Sequence, residues 1–354
     1  MNEKRLPIIK PVVHGYLCNA YPLSVVLQDN KSDDWFYSNY IQLVCAGNFP
    51  QGKFFSFYNS HLPWYEFFTG CPLINYQKIH YSYTEKYNDG TIGFILDAID
   101  KNEYVYLHVD EYYVSHKKAY QFETLPHEMM ISGYDKDSEK LYVSGYDKDM
   151  NYGEYEVDFS EFQTAFTMLD KTINNRGYIY LLQHNKEYKY SFDIKLVIQS
   201  LKELRNSDNT SLHYRSITPP ASWIFGICIY DELVKYLEAD IDGSNGKIDA
   251  RLFHTLWEHK SVMAKRIKYM EEHNYLEDGS AFIEKFSYLE SLILNMRNLV
   301  LKYNVRENPS LIKSIIEKIC EMKEVEAATL DDLIIVLENR WKAAPENLIP
   351  DNYL

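Results

Sequence analysis

Short apolar runs punctuated by turn clusters give way, near residue 190, to long stretches with helical spacing. Ahead of that point stand EYVYLHVDEYYV at 103–114, HEMMISGY at 127–134, KLYVSGY at 140–146 and GYIYLLQ at 177–183. They are rich in Tyr, Val, Ile and Phe and bounded by polar residues, which is the composition of strands. Beyond it, apolar positions spaced for one helix face predict helices over roughly 192–206, 222–239, 249–274, 280–304, 308–323 and 329–342. NPS at 308–310 and ATLDD at 328–332 carry helix-start chemistry. The pattern predicts an α+β domain over 1–188 and a mainly helical domain over 189–354.

One early segment departs from the strand pattern. CNAYPLSVVLQ at 18–28 puts Ala20, Leu23, Val26 and Leu27 on one side of a helix. Pro22 is tolerable only in or near the first turn, so Cys18 belongs at or just before the helix start. A thiol there feels the positive end of the helix dipole, which favours thiolate. Cys45, Cys71, Cys228 and Cys320 have no such setting and read as packing.

The pentapeptide GYDKD occurs twice, at 133–137 and 145–149. A hairpin turning at DKDSEK would set His127 opposite about residue 148, bringing Asp147 or Asp149 towards the imidazole. A thiol at a helix start, a strand-borne histidine and a carboxylate on the neighbouring strand, in that order, make a papain-type nucleophile, base and orienting group.

Composition narrows the class. The 354 residues are 46% hydrophobic and 25% charged, as in ordinary globular proteins, and the 32 tyrosines supply apolar area with a polar tip. A net charge of −14 argues against general affinity for nucleic acid or an anionic membrane. The five scattered cysteines include no C-x-x-C pair, and the N-terminus lacks a signal-peptide core, so a cytoplasmic protein with reduced thiols is expected.

Three strings then resemble a known family. Tyr104 to Val114 read Y-V-x-L-H-V-D-x-Y-Y-V, Pro126 to Asp135 read P-H-x-M-M-I-S-G-Y-D, and Leu141 to Ser144 read L-Y-V-S. Together with the Cys18-led helix they are similar to the N-terminal domain of the butirosin-biosynthesis protein H family. The likeness is strongest over about 103–146 and continues more weakly in IYDELVKYL at 229–237 and LWEHKSVMAKRIKYM at 256–270. It implies a papain-like (peptidase C39-like) α+β fold with an antiparallel sheet, used as a cysteine acyltransferase in natural-product biosynthesis. An acyl group would pass from the thioester of an acyl or peptidyl carrier protein, through Cys18, to a small-molecule amine. The resemblance makes Cys18 the nucleophile, His127 the base and a carboxylate after Val143 the orienting group. Asp147 is the nearest, with Asp149 as alternative, because Gly145 stands where family members carry an aspartate. The glycine-rich stretch that follows the family's cysteine helix is poorly matched by VCAGNFPQG.

Asn19 beside the thiol, and Asp110 and Tyr112 at the end of the first matching string, are expected around the substrate. His108 and Asp110 alternate onto one strand face. Lys260, Lys265, Arg266 and Lys268 form a basic cluster in an acidic chain, suited to docking an acidic carrier or its phosphopantetheine phosphate. No metal or cofactor is expected, phosphopantetheine entering only as part of the carrier substrate. DIDGSNGKIDARLF at 240–253 imitates a calcium loop but places Ile241 and Leu252 where carboxylates are needed, and it reads as a polar loop. His254 and His259 are five apart and share no metal-binding face. The alternatives from the same residues are a C39-like peptidase or thioesterase, and a degenerate module that binds without chemistry.

Overall fold

The computed structural model describes residues 2–47, 49, 54–59, 68, 70–173, 175–239 and 247–342. Its strands are β1 (Glu3–Arg5), β2 (Leu43–Cys45), β3 (Phe55–Phe57), β4 (Ile74–His80), β5 (Tyr104–Asp110), β6 (Pro126–Asp135), β7 (Lys140–Tyr146), β8 (Tyr152–Asp158), β9 (Tyr178–His184) and β10 (Ile224–Phe225). The helices are α1 (Leu17–Val26), α2 (Asp33–Asn39), α3 (Gly90–Asp100), α4 (Phe159–Thr167), α5 (Ile194–Asn206), α6 (Ile229–Glu238), α7 (Ala250–Glu272), α8 (Ser280–Arg306) and α9 (Pro309–Trp341). The chain is thus mixed α/β, with an antiparallel sheet in its N-terminal part and a helical C-terminal region. Among the described residues no helix is long and apolar enough to cross a membrane.

Two compact units form. The first takes Met1–Ser32 and Leu62–Lys189, the second Asp33–His61 and Tyr190–Leu354. The single cut expected after residue 188 misses the excursion of 33–61, which belongs with the helices. The reason lies in pairing: β2 and β3 run antiparallel, and β10 adds to β2, with Ile224 opposite Cys45. That small sheet needs residues from both sides of the first unit's sequence.

The first unit is built on the sheet β4-β9-β5-β6-β7-β8, with β1 continuing the edge of β6 beyond the end of β5. The hairpin turns where expected, with Asp135 opposite Lys140 and Tyr134 opposite Leu141. A bulge between Ile131 and Gly133 then shifts the register by one residue, so that Met130 faces Ser144. Side chains alternate along the strands, so Tyr106, His108, Glu128, Met130 and Ser144 share one face, and Leu107, Val109, His127 and Met129 the other. The bulge returns Tyr134 to the second face, where its hydroxyl donates to Asp100 at the end of α3 (2.6 Å).

In the second unit, α7, α8 and α9 pack side by side, with α5 and α6 on α9. Asn308 caps α9 by accepting from Ser310 N–H, with Pro309 in the first turn. The second helix start expected at 328–332 does not occur, and α9 runs through it unbroken. No Gly or Pro interrupts the stretch. Thr329 donates back to the Val325 carbonyl instead of capping, and buried Glu326 anchors the middle of the helix. The residues from 226 to 228, expected as helix, form a 3-10 turn before α6. The calcium-like loop lies outside the described residues over 240–246, and Asp249 caps α7 by accepting from Arg251 N–H.

The basic cluster is corrected by the same packing. Lys260 and Arg266 fall on the inward stripe of α7 and are fully buried, whereas Lys265 and Lys268 are exposed. Lys260 Nζ lies 2.5 Å from Glu326 Oε1, and Arg266 donates to the carbonyls of Tyr37 and Tyr40. No four-residue docking patch exists on this helix. Lys260→Ala strands a buried carboxylate and is expected to cost on the order of 3–5 kcal/mol, while Lys265→Ala stays within about 0.5 kcal/mol of wild type. Urea unfolding of the two variants measures the contrast.

Candidate functional site in the first unit

Helix α1 begins at Leu17, so Cys18 occupies its second position. All ten residues of the helix are buried, which explains why an amphipathic face was only partly visible in its sequence. Pro22 sits beyond the first turn and has no N–H for the Cys18 carbonyl, leaving that carbonyl without its usual helical donor. One turn along from Cys18, the Tyr21 hydroxyl donates to the backbone carbonyls of Glu128 (3.2 Å) and Ser144 (3.0 Å). The Tyr21 ring also meets Tyr106 edge-on. These contacts set α1 on the sheet face that carries Tyr106, His108, Glu128 and Ser144.

The expected lowering of the Cys18 pKa does not survive this packing. Burial drives the thiol well above its usual value, and the charge of Glu128 adds to it. The backbone N–H groups of Asn19 and Cys18 oppose but do not balance these effects. Cys18 therefore rests as a neutral thiol. Among the described residues no hydrogen bond joins it to an imidazole.

His127 lies opposite Val109, and its neighbour Glu128 lies opposite His108. The imidazole is held at Nδ1 by Glu111 Oε1 (3.0 Å), and its Nε2 stands 3.5 Å from Glu128 Oε2. Glu111 in turn pairs with Lys117 (3.3 Å), both side chains being less than a tenth exposed. Burial pulls the His127 pKa down, but the Glu111 hydrogen bond and the charges of Glu128 and Glu111 outweigh it, so the value ends above 6.5. Burial likewise works against Glu111, yet its contacts with His127 and Lys117 hold the carboxyl below its usual value.

Asp147 does not orient His127. Its carboxylate accepts from the N–H groups of Asp149 (2.9 Å) and Asn151 (2.8 Å) and closes the exposed turn after β7. The β6–β7 ladder has already ended at Met130 and Ser144, so neither Asp147 nor Asp149 is delivered to the imidazole by pairing. Gly145 stands in a setting that excludes a larger side chain. Its φ of +150° favours glycine, and a Cβ there would meet Lys117 Nζ at 3.0 Å and Tyr21 Oη at 3.3 Å. The space a side chain would take is filled by the ammonium that pairs with Glu111.

The other expected substrate residues have local duties. Asp110 accepts from the N–H groups of Tyr112 (3.1 Å) and Leu125 (2.9 Å), fixing the loop after β5. Tyr112 packs edge-on against Tyr113, and its carbonyl receives Gln121 N–H. Asn19 is buried in α1.

What the sequence missed is the polar cluster on the α1 face. The hydroxyls of Tyr106 and Ser144 and the Nδ1 of His108 are buried and have no hydrogen-bond partner. Burial keeps the His108 pKa low, despite the opposing pull of Glu128, so its ring is neutral. Three unsatisfied polar atoms on one sheet face, beside a buried thiol, are costly without a ligand or water to complete them. The alternation of E-Y-V-Y-L-H-V contained the signal, since it places Tyr106 and His108 on one side.

Glu111→Gln keeps an acceptor but removes the charge that raises His127. The His127 midpoint, followed by NMR titration, is expected to move down. In the wild type, the protonated imidazole's stabilisation is fully present below 6.5 and lost as pH rises through the raised value, so the variant's stability should vary less across that window. Glu128→Gln removes a repelling charge from the thiol. Alkylation of Cys18 at fixed pH, read by peptide mass mapping, should speed up.

No protein-family model matches the chain, and no curated protein matches it.

Proposed function

We propose that the first unit is a papain-like cysteine acyltransferase of the butirosin-biosynthesis protein H type, with Glu111 replacing the family's aspartate as the partner of His127. The observation that carries this is the His127 Nδ1–Glu111 hydrogen bond of 3.0 Å, on a strand whose next residue abuts the helix that holds Cys18 in its first turn. A carboxylate on one ring nitrogen fixes the tautomer and leaves Nε2 as the proton acceptor.

The thiol proton of Cys18 passes to His127 Nε2 as Sγ attacks the carbonyl of a carrier-bound thioester. The carrier thiol departs with that proton, leaving acyl-Cys18. An amine then attacks the acyl carbon, gives a proton to His127, and the proton returns to Sγ as the amide is released. One thioester replaces another in the first half, so the first step is nearly balanced. A residue as buried as Cys18, 6% exposed, favours a slender pantetheine arm over a bulky peptide. The Cys18 N–H at the start of α1 would donate to a developing oxyanion, whereas the Asn19 N–H is committed to the Tyr16 carbonyl (3.0 Å).

A binding-only module is the second reading, and the raised thiol pKa favours it. Intact-mass labelling with a panel of acyl-pantetheine thioesters separates the two. Acyl transfer predicts an adduct on wild type, none on Cys18→Ala, and labelling slowed at least 100-fold in His127→Ala. Folded wild-type protein that takes no adduct from any donor sinks the proposal. An adduct that forms equally fast in His127→Ala moves the base to His108.

A further inference from the structure

The proton transfers of the proposed reaction leave one buried charge without a part, that of Lys117. Its side chain is 5% exposed, and a lysine is almost never so enclosed unless it is paired. The loop after β5 holds it from both sides. The Lys117 N–H donates to the Val114 carbonyl (3.0 Å), and the Lys117 carbonyl accepts from Tyr120 N–H (3.2 Å). One residue earlier, the His116 carbonyl accepts from Lys148 N–H (2.8 Å), and the His116 ring stacks on Tyr155. The loop is thereby tied to the turn that Asp147 closes, and the missing side chain at Gly145 leaves the ammonium its space.

The ammonium and the catalytic imidazole share one acceptor. Glu111 Oε1 lies 3.3 Å from Lys117 Nζ and 3.0 Å from His127 Nδ1. On its other side His127 meets Glu128, whose Oε2 is 3.5 Å from Nε2. The histidine on the neighbouring strand, His108, is buried and neutral. Beside Lys117, the His116 ring adds no charge at neutral pH, because burial and the ammonium push it down to about 4. Two carboxylates therefore face the imidazole, and Lys117 is the cation set against them.

An imidazole between two carboxylates with no such cation would stay protonated, and a protonated ring takes no proton from a thiol. The Lys117 charge works against that protonation.

We propose that Lys117 is a positioning residue for this reaction: sharing Glu111 Oε1 with His127, it offsets one of the two carboxylates at the imidazole and leaves the ring able to accept the Cys18 proton. The role rests on the acyl-transfer reading, but its effect on His127 is measurable without any acyl donor.

NMR titration of His127 in the full chain tests it, with the signal assigned from a His127→Gln spectrum. In Lys117→Met the His127 midpoint should rise by about one pH unit. The acidic limb of Cys18 alkylation by iodoacetamide should move up with it, since less neutral imidazole remains at a given pH. Lys117→Gln, which can still donate to Glu111 but carries no charge, should do the same, and it bears the test if the methionine variant does not fold. Lys117→Arg should keep the wild-type midpoint. The proposal is overturned if the midpoint stays or falls in a folded neutral variant, or if Lys117→Arg raises it as much as Lys117→Gln does. It is overturned as well if neither neutral variant folds, which leaves Lys117 a structural group only. Failure of acyl transfer itself reads differently: the wild type then takes no acyl-pantetheine adduct, while the Lys117 shift remains and still supports this control of His127.

Discussion

The alternation of side chains along β6 governs the first unit's chemistry. His127 and Glu128 are adjacent in the chain, so the strand must turn them to opposite faces. Glu128 goes to the side covered by α1, where Tyr21 bridges its carbonyl to that of Ser144. His127 starts on the other side and is pulled to the strand's end by Glu111, which sits just past the end of β5. Lys117 completes the arrangement, filling the space beside Gly145 and neutralising Glu111. A single-residue slip of β6 would exchange the two faces and carry Glu128 away from α1.

Much of this frame was legible because strands and turns write themselves in local composition. The four tyrosine-rich runs, the turn at 135–140 and the start of the Cys18 helix need only neighbours in sequence. The site was less legible where partners are distant or where one residue changes the register. The Ser132 bulge, invisible in the pattern of apolar positions, shifts the hairpin by one. Asp147 looked like a partner because the hairpin register set the second GYDKD opposite His127, yet a carboxylate followed by N–H groups in a tight turn satisfies itself first. Glu111, between Asp110 and Tyr112, stood at an unmarked position of the first matching string. Its partners come from residues 117 and 127, and spacing alone does not name them.

The second unit repeats the lesson with charge. Four basic residues within one helix suggested a patch, but the helix period sends two of them inward. Lys260 finds Glu326, 66 residues away, and Arg266 finds carbonyls of α2 and the turn after it. The segment 33–61 supplies those carbonyls, which ties the break in domain continuity to the buried arginine.

Glu128 acts on the two halves of the proposed dyad in opposite senses. Its charge resists a thiolate at Cys18 and favours an imidazolium at His127. Moving a proton from the thiol to the imidazole creates both charges at once, so the two effects of Glu128 oppose one another in the transfer. Burial is left as the main opposition, since it is the largest influence on the thiol. A buried charge is tolerated only when hydrogen bonds surround it. The unfilled hydroxyls of Tyr106 and Ser144 and the neutral His108 ring lie on the face that carries Glu128. In the proposed mechanism, these unpaired dipoles would lower the cost of charge separation where the bond must form.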